Sequence, residues 1–286
     1  MTTYLKSNLV DFPNSHQQCF QPGLSCLTTA FAMQETILYH MERYSNVYVA
    51  SLDQKAAFDT VRFRALFLKL GRLGFTGHFL RLLMSTFHNL KTVVCGSRST
   101  SDTIMVKRSV RQGGVLSTFL YLVYVNDILN DIKRSGCGSK VMSVCCGNPA
   151  IADNISLLAL TPVHLQKMVN IVYDYCQHCN VSINVDKSSV TVFTKGRSQP
   201  EVNIRYGNRS FIQTGSFVHL GIVYSYNLKD KDRVSQRLQK KQRMLYFQCQ
   251  RKVSMPRELT RKSQLIFFPR LSFLLHCDIA LNTGVK

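Results

Sequence analysis

An apolar strand that ends in a carboxylate is the feature that most constrains how this chain can fold. Residues 46–52 read NVYVASL, and Asp53 follows directly. A short run rich in β-branched and aromatic residues predicts a buried strand. Such a strand holds its last residue rigidly at the edge of a cleft. We interpret Asp53 as functional, because no turn or helix cap accounts for an acid at that place.

Three further features each have a plain structural explanation when taken alone. Asp59 stands directly before a predicted helix, which favours a helix cap or a first-turn acid. Gly113 and Gly114 precede another helix. They allow the backbone to approach a flat or phosphorylated ligand closely, or they simply form a turn. Asp153 and Asn154 stand between apolar residues, as in the turn of a hairpin.

Taken together, these features predict a metal site. Phosphoryl transfer by two metal ions about 3.5–4 Å apart requires carboxylates from separate strands that converge on one point. We therefore predict that Asp53 and Asp153, which are far apart in the chain, lie with their carboxylate oxygens within about 8 Å of each other.

Helices and strands alternate irregularly along the chain, which indicates the α+β class, an antiparallel sheet backed by helices. Helical periodicity predicts helices over 25–43, 62–73, 78–89, 111–132 and 163–179. Strand signals occur at 46–52, 91–95, 103–110, near 182, and at 189–193, 202–206 and 217–224. A hairpin is predicted over 141–160 with Asp153 and Asn154 near its tip. The last two strands are expected to close the sheet.

The net charge indicates a polyanionic partner. The chain has 36 lysine and arginine residues against 16 acids, a formal net charge of +20, which exceeds what solubility requires. Between residues 229 and 270 there are thirteen basic residues and three acids. Basic residues on a helix usually form a solvated face balanced by acids. Here the acids are too few, so we predict contact with phosphates.

The cysteines and the terminus indicate a reduced, intracellular protein. Ten cysteines stand at irregular positions, and the amino terminus has no apolar signal-peptide core. Cys176 and Cys179 have the spacing of half a zinc site. No second pair follows, so we interpret them as partly buried residues on a helix. No apolar run reaches the roughly 20 residues of a membrane span.

The ordered motifs resemble the reverse transcriptase domain of non-LTR (LINE-type) retrotransposons. The likeness runs from about residue 17 to 243 and rests on blocks at 18–26, 52–59, 111–117, 124–128, 151–154, 184–187 and 219–221. It implies a polymerase palm with partial fingers and the start of a basic thumb, acting as an RNA-directed DNA polymerase. On this interpretation 1–24 belong to truncated fingers, 25–228 form the palm and fingers core, 229–252 are the basic helix of a partial thumb, and 253–286 are a divergent tail.

The resemblance implies catalytic and nucleotide-binding roles. Asp53 and Asp153 would hold two Mg²⁺ (or Mn²⁺) ions, and Asn154 completes the catalytic set. Phe58 would press on the incoming sugar and exclude a 2′ hydroxyl. The residues in contact with the dNTP would be Arg111, Gln112, Gly113 and Lys187, although Lys187 could equally be a plain surface lysine.

The resemblance also implies contacts with an RNA template and a DNA primer. The segment 219–221 would lie where the primer strand is gripped, and the basic helix would follow backbone phosphates without reading sequence. The residues implied are His219, Leu220, Gly221, Arg233, Arg237, Lys240 and Lys241.

Departures from the family pattern lead to separate expectations. Asn154 stands where the family has a second aspartate. One negative charge fewer beside two divalent ions predicts weaker metal binding and weak or absent catalysis. Ile151 replaces the usual tyrosine, which is a smaller change.

The early start of the motifs indicates that upstream finger strands and an endonuclease domain are missing. The alternatives to an active polymerase are a non-catalytic nucleic-acid binder and a genomic relic without a selected role.

Overall fold

The computed structural model describes residues 12, 17, 26–75, 77–96, 99–111, 113–114, 116–142, 144–151, 154–219 and 222–228. These ranges contain five α-helices and thirteen strands. The strands form one five-stranded sheet and four two-stranded ladders. The predicted basic helix at 229–252, its assignment to a thumb, and the tail at 253–286 lie outside the described residues.

The described helices agree with the predicted ones to within a few residues, except that the fourth begins later, at Ser117. They are α1 (Cys26–Glu42), α2 (Phe63–Arg72), α3 (Gly77–Phe87), α4 (Ser117–Arg134) and α5 (Pro162–Cys179), and a 3₁₀ helix spans Ala57–Thr60. The strands are β1 (Val47–Asp53), β2 (Lys91–Thr92), β3 (Ile104–Met105), β4 (Lys140–Val141), β5 (Val144–Cys145), β6 (Ala150–Ile151), β7 (Asn154–Ala159), β8 (Ser189–Phe193), β9 (Arg205–Tyr206), β10 (Arg209–Ser210), β11 (Ile212–Gln213), β12 (Ser216–His219) and β13 (Ile222–Ser225).

Strand β1 lies at the centre of the five-stranded sheet, whose order is β11-β8-β1-β7-β6. Its neighbours β7 and β8 both run antiparallel to it, while β11 runs parallel to β8. A strand covered on both edges and both faces is expected to be almost continuously apolar, as 47–52 are. The prediction of an α+β fold with an antiparallel sheet backed by helices is confirmed.

The two faces of β1 enter different cores, because successive side chains of a strand point to opposite sides. Ala50 and Leu52 belong to the larger core, in which α2, α4 and α5 cover the sheet. Val47 and Val49 belong to a smaller core beneath α1 and the β12–β13 hairpin. The strand is therefore held rigidly along its length up to Asp53.

A buried lysine joins three helices within the larger core. Lys69 on α2 is 8% exposed. Its Nζ donates to Asp127 Oδ2 on α4 at 2.6 Å and to the Tyr175 hydroxyl on α5 at 3.1 Å. The Tyr175 hydroxyl donates in turn to the carbonyl oxygen of Tyr124. These bonds offset the desolvation of the ammonium group and fix α2, α4 and α5 relative to one another.

Several details of the predicted sheet are wrong. The segment 141–160 is not one hairpin: it contains one hairpin, β4–β5, except for Lys140, and the whole of a second, β6–β7. Asn154 does lie next to the tip of β6–β7, as predicted. The segment 217–224 is the hairpin β12–β13, and β9 pairs with β10, so neither closes the central sheet. The predicted strand at 103–110 is reduced to β3, and the one near 182 to an isolated bridge between Gln54 and Ile183. Strand pairing depends on long-range packing that local sequence signals do not contain.

None of the helices in the described ranges is both long enough and apolar enough to cross a bilayer.

Candidate active site

The C-terminal end of β1 brings Asp53 to the edge of the central sheet. In the β1–β7 ladder Asp53 is the cross-strand partner of Asn154, the first residue of β7. Directly paired residues of an antiparallel ladder have Cα atoms about 4.5–5.5 Å apart, and their side chains share one face. Both residues are partly exposed. The motifs at 52–59 and 151–154 therefore meet in space.

The sheet face that carries Asp53 changes from apolar to polar along β1. Val49 lies in the smaller core, but Ser51, two residues before the acid, is paired with Ser156 of β7 and Ser189 of β8. Cross-strand partners share a face, so three hydroxyl side chains form a row beside the Asp53–Asn154 pair.

A tight turn fastens residues 182–188 to the end of β1. The Asn184 N–H donates to the Asp53 carbonyl oxygen at 2.7 Å. The Asp53 N–H donates to Ser188 Oγ at 3.1 Å. These bonds place the segment that carries the exposed Lys187 at the same sheet edge as Asp53.

Stacking and hydrogen bonds hold the ring of Phe58 in one orientation. Its centroid lies 4.7 Å from that of Tyr121, with the rings inclined by 25°. The Tyr121 hydroxyl donates to Gln54 Oε1 at 2.6 Å, and both of these residues are buried. The Val110 N–H donates to the Phe58 carbonyl oxygen at 2.8 Å. The sequence analysis gave no role to Gln54 or Tyr121. The signal for them is weak: Gln54 is a polar residue close after the apolar strand, and nothing marks Tyr121.

Asp59 does not cap helix α2, so that alternative is wrong, but the residue is an acid in the first turn of the preceding 3₁₀ helix. The N-cap of α2 is Arg62, which makes no side-chain capping bond. Asp59 lies instead in the intervening 3₁₀ helix and accepts a hydrogen bond from Ser109 Oγ at 3.1 Å. The carboxylate therefore ties the 3₁₀ helix to the chain directly before Val110.

The two glycines before α4 serve different purposes. Gly113 has a φ of +79°, a left-handed conformation that disfavours other residues. A Cβ on Gly114 would lie 2.5 Å from Ser117 Oγ, so a side chain at this position would crowd the first turn of α4. Arg111 is exposed at the same turn.

His219 lies inside the protein and not on its surface. The side chain is 2% exposed, and Nδ1 lies 3.2 Å from Ser156 Oγ in a hydrogen bond. Burial lowers the pKa of His219 to about 4. The imidazole is therefore neutral, and it links the β12–β13 hairpin to β7 two residues from Asn154. Its side chain is not placed to grip a primer directly.

Eight of the predicted site residues lie outside the described residues, and the predictions made for them stay predictions. They are Asp153, Gln112, Leu220, Gly221, Arg233, Arg237, Lys240 and Lys241.

The described part of the site supplies one carboxylate, from Asp53, and one amide, from Asn154. Carboxylate and amide oxygens are ligand types that Mg²⁺ and Mn²⁺ accept. Among the described residues no three His, Cys, Asp or Glu side chains cluster as a metal site. A divalent ion at this edge therefore requires a further acid, and the neighbour of Asn154 in the chain is Asp153.

The cysteine pair on α5 is packed inside the protein, as expected. Cys176 is buried and Cys179 is half-buried. Burial raises the pKa of the Cys176 thiol to about 11, so this residue stays protonated at neutral pH.

The sequence profile of the family described as "Reverse transcriptase (RNA-dependent DNA polymerase)" matches residues 2–243. The chain belongs to the reverse transcriptase family. As a family, reverse transcriptases depend on divalent metal ions, and their substrates are nucleic acids.

Similar proteins come from retrotransposable elements, which confirms the prediction of a non-LTR reverse transcriptase domain. The "Retrovirus-related Pol polyprotein from type-2 retrotransposable element R2DM" of Drosophila melanogaster is 25% identical over 218 residues, 73% of this chain. The "RNA-directed DNA polymerase from mobile element jockey" of Drosophila funebris is 25% identical over 181 residues, 62% of this chain. The chain spans 20% and 19% of the lengths of these two relatives.

Telomerases are among the solved structures with the same fold. Apo telomerase from Candida tropicalis, truncated from the C-terminal domain, superimposes with a TM-score of 0.54 at 12% identity over 78% of this chain and 44% of that chain. Telomerase of the same organism in complex with a fragment of telomeric RNA gives a TM-score of 0.52 at 12% identity, over 81% of this chain and 36% of that chain. At this identity the likeness shows the polymerase palm fold alone.

Proposed function

We propose that this chain contains the catalytic palm of an RNA-directed DNA polymerase, in which Asp53 and Asp153 hold two divalent ions. The observation that carries the proposal is the pairing of Asp53 with Asn154. It brings two sequence motifs that are distant in the chain to one partly exposed sheet edge. Membership of the reverse transcriptase family supplies the reaction class.

The chemistry at this edge depends on oxygen ligands. When bound, Mg²⁺ or Mn²⁺ would activate the primer 3′ hydroxyl and neutralise charge on the triphosphate and the leaving pyrophosphate. Asp53 would contribute an anionic oxygen held by a rigid strand. Asn154 would contribute at most a neutral amide oxygen, so we expect weaker metal binding and slower transfer than with an aspartate at that position.

The incoming dNTP would lie between the sheet edge and the segments that flank it. Phe58, whose ring is fixed by Tyr121, would exclude a 2′ hydroxyl. The remaining nucleotide contacts are proposed for Arg111, Gln112, Gly113 and Lys187. The fastening of 182–188 to Asp53 favours a role for Lys187 near the triphosphate over a plain surface position.

The template and primer would lie along the basic part of the chain. We propose primer contact through the backbone of 219–221, since the His219 side chain is buried, and phosphate contact through Arg233, Arg237, Lys240 and Lys241. With an RNA template and a DNA target as partners, the protein would act inside the cell, in the nucleus or the cytoplasm.

Primer extension tests the polymerase proposal. The purified chain is given an RNA template, a labelled DNA primer, dNTPs and either Mg²⁺ or Mn²⁺, beside the variants Asp53→Asn, Asn154→Asp and Asp59→Asn. We expect Asn154→Asp to extend fastest. Asp53→Asn should lose at least about 100-fold in rate, which corresponds to about 3 kcal/mol of transition-state stabilisation. Asp59→Asn, a matched loss of charge outside the metal site, should extend like the wild type. If even Asn154→Asp fails to extend the primer, the proposal that this chain is a polymerase is rejected.

A second candidate function, a non-catalytic nucleic-acid binder, is favoured by one observation, the asparagine at position 154 opposite Asp53. Such a protein would bind an RNA–DNA hybrid with an affinity that falls steeply with salt. Its binding would be unchanged by Asp53→Ala, and its Asn154→Asp variant would not extend a primer. Binding that is absent or insensitive to salt would count against it.

A further inference from the structure

The ladder between β1 and β8 stops just before Asp53. Its last pair is Ser51 with Ser189, and the same register continued by two residues would place Lys187 opposite Asp53. The chain turns away instead, and the Lys187 N–H donates to the Asn184 carbonyl oxygen at 3.1 Å. The Asp53 N–H therefore lacks the backbone acceptor that a longer ladder would have supplied.

The side chain of Ser188 replaces the missing acceptor. Its Oγ accepts the Asp53 N–H at 3.1 Å and donates its own proton to the Asn184 carbonyl oxygen at 2.8 Å. The Asn184 N–H completes the set by donating to the Asp53 carbonyl oxygen at 2.7 Å. Ser188 is 2% exposed, so water does not readily substitute for its hydroxyl group.

The backbone of the same turn also pairs with β1 beyond Asp53, through the bridge between Gln54 and Ile183 and the bond from the Lys55 N–H to the Ser182 carbonyl oxygen. Its ion pair is weak. Asp186 forms an ion pair with Arg209 of β10. The two side chains are 69% and 57% exposed, and exposed ion pairs contribute little to holding a conformation. Apart from the core packing of Ile183 and Val185, the buried hydroxyl of Ser188 is the side-chain group of this turn that is hydrogen-bonded to the main chain of Asp53 within the described residues.

We propose that Ser188 is a positioning residue, which fixes the main chain of Asp53 against the turn that carries Lys187. One hydroxyl group thereby sets a metal-binding carboxylate and a nucleotide-contacting lysine relative to each other. The inference deepens the proposed function and rests on it for the roles of Asp53 and Lys187. The hydrogen bonds themselves do not depend on it.

Four substitutions separate positioning from general stability. Ser188→Ala removes the hydroxyl. Ser188→Cys keeps the volume with a much weaker hydrogen-bonding atom, and it replaces the alanine variant if that one does not fold. Ser188→Thr keeps the hydroxyl and serves as the rescue. Ser189→Ala is the matched control, because no side-chain hydrogen bond of Ser189 is found within the described ranges.

Hydrogen exchange of individual amides is the first measurement. Ser188→Ala and Ser188→Cys should speed exchange at the amides of Asp53 and Asn184 by at least about tenfold, since each amide loses part of its hydrogen-bonded set. Ser188→Thr and Ser189→Ala should leave both amides protected. Unchanged protection in Ser188→Ala would overturn the proposal, whatever the activity of the protein.

The second measurement is Mn²⁺ affinity by electron paramagnetic resonance, with Asp53→Ala as the reference. We expect Ser188→Ala to raise the Kd for Mn²⁺ at least about threefold, which is a change of about 0.7 kcal/mol, and Ser188→Thr to restore it. Faster exchange with unaltered Mn²⁺ affinity would make Ser188 merely structural and overturn the positioning role. If Asp53→Ala binds Mn²⁺ like the wild type, the proposed metal site itself fails, a result distinguishable from failure of the exchange test.

Discussion

Two glycines, Gly138 and Gly147, lie in direct backbone contact beside the β4–β5 hairpin. A Cβ on Gly147 would lie 2.3 Å from the Gly138 Cα, a distance that only movement of the main chain could relieve. We expect Gly147→Ala to lower the free energy of unfolding by about 3 kcal/mol or more, at the upper end of overpacking costs. Urea denaturation followed by circular dichroism measures this loss.

The same substitution in an open place is the control for this prediction. Gly71 is exposed on α2, and a Cβ there would meet no atom within 4 Å. Alanine is the better helix former, so Gly71→Ala should raise the free energy of unfolding by about 0.5–1 kcal/mol. Equal losses in the two variants would contradict the contact seen at Gly147.

His219 predicts how stability depends on pH. Burial lowers its pKa to about 4, whereas an unfolded histidine titrates near 6.5. Between these values the unfolded chain binds a proton that the folded chain does not. Stability is therefore complete above about pH 6.5 and is lost as the pH falls towards 4, by up to about 3 kcal/mol.

The variant His219→Gln isolates this effect. Burial also lowers the pKa of His40, so part of the acid sensitivity should remain in the variant. Urea unfolding of both proteins between pH 7.5 and 4.5 should give a flatter dependence for His219→Gln. Parallel pH profiles would show that His219 is not buried in neutral form.

At the scale of elements, Lys69 and Asp127 join α2, α4 and α5. The free energy of unfolding should fall by different amounts when one or the other of these two residues loses its charge. The Lys69 side chain is 9% exposed and that of Asp127 is 47% exposed. Asp127→Asn leaves a buried ammonium group without its counter-ion, which should cost about 2–4 kcal/mol. Lys69→Met leaves a carboxylate that water can reach, which should cost about 1 kcal/mol or less. Unfolding free energies of both variants test this order.

The exposed pair Asp131–Arg134 on the same helix α4 provides the control. Its side chains are 41% and 75% exposed, so Asp131→Asn should change stability by no more than about 0.5 kcal/mol. A larger effect of Asp131→Asn than of Asp127→Asn would mean that the buried junction does not hold the helices.

Local sequence signals predicted the elements better than their pairing. The strand at 46–52 and its terminal acid Asp53 follow from a continuous apolar run, and they are found as β1. The hairpin β12–β13 and the separation of β9 from the central sheet depend on contacts with distant parts of the chain. The hydroxyl bridge of Ser188 was not predictable either, because it depends on where the β1–β8 ladder ends.

At the scale of the whole molecule, the positive charge should govern nucleic-acid binding. The variant replaces four basic residues by alanine: Arg233, Arg237, Lys240 and Lys241. For binding to an RNA–DNA hybrid, the slope of log K against log salt concentration should become less negative by about 3–4. Each lost phosphate contact accounts for about one unit of slope. Fluorescence anisotropy at several salt concentrations measures the slope.

A variant with the same total charge tests whether placement matters. The control replaces four exposed basic residues outside that segment by alanine: Arg43, Lys133, Arg134 and Lys195. We expect the slope of this control to change by less than about one unit. Equal slopes in the two quadruple variants would show that binding follows net charge alone and not a basic segment.

The proposed active site requires two acids, Asp53 and Asp153, to meet at one sheet edge. A crystal structure of the protein grown with Mn²⁺, with the ion located by its anomalous scattering, tests this most directly. We predict manganese in contact with both carboxylates, whose nearest oxygens lie within about 8 Å of each other, as a pair of ions about 4 Å apart requires. Carboxylates on different faces of the protein, or manganese bound elsewhere, would contradict the proposed metal site.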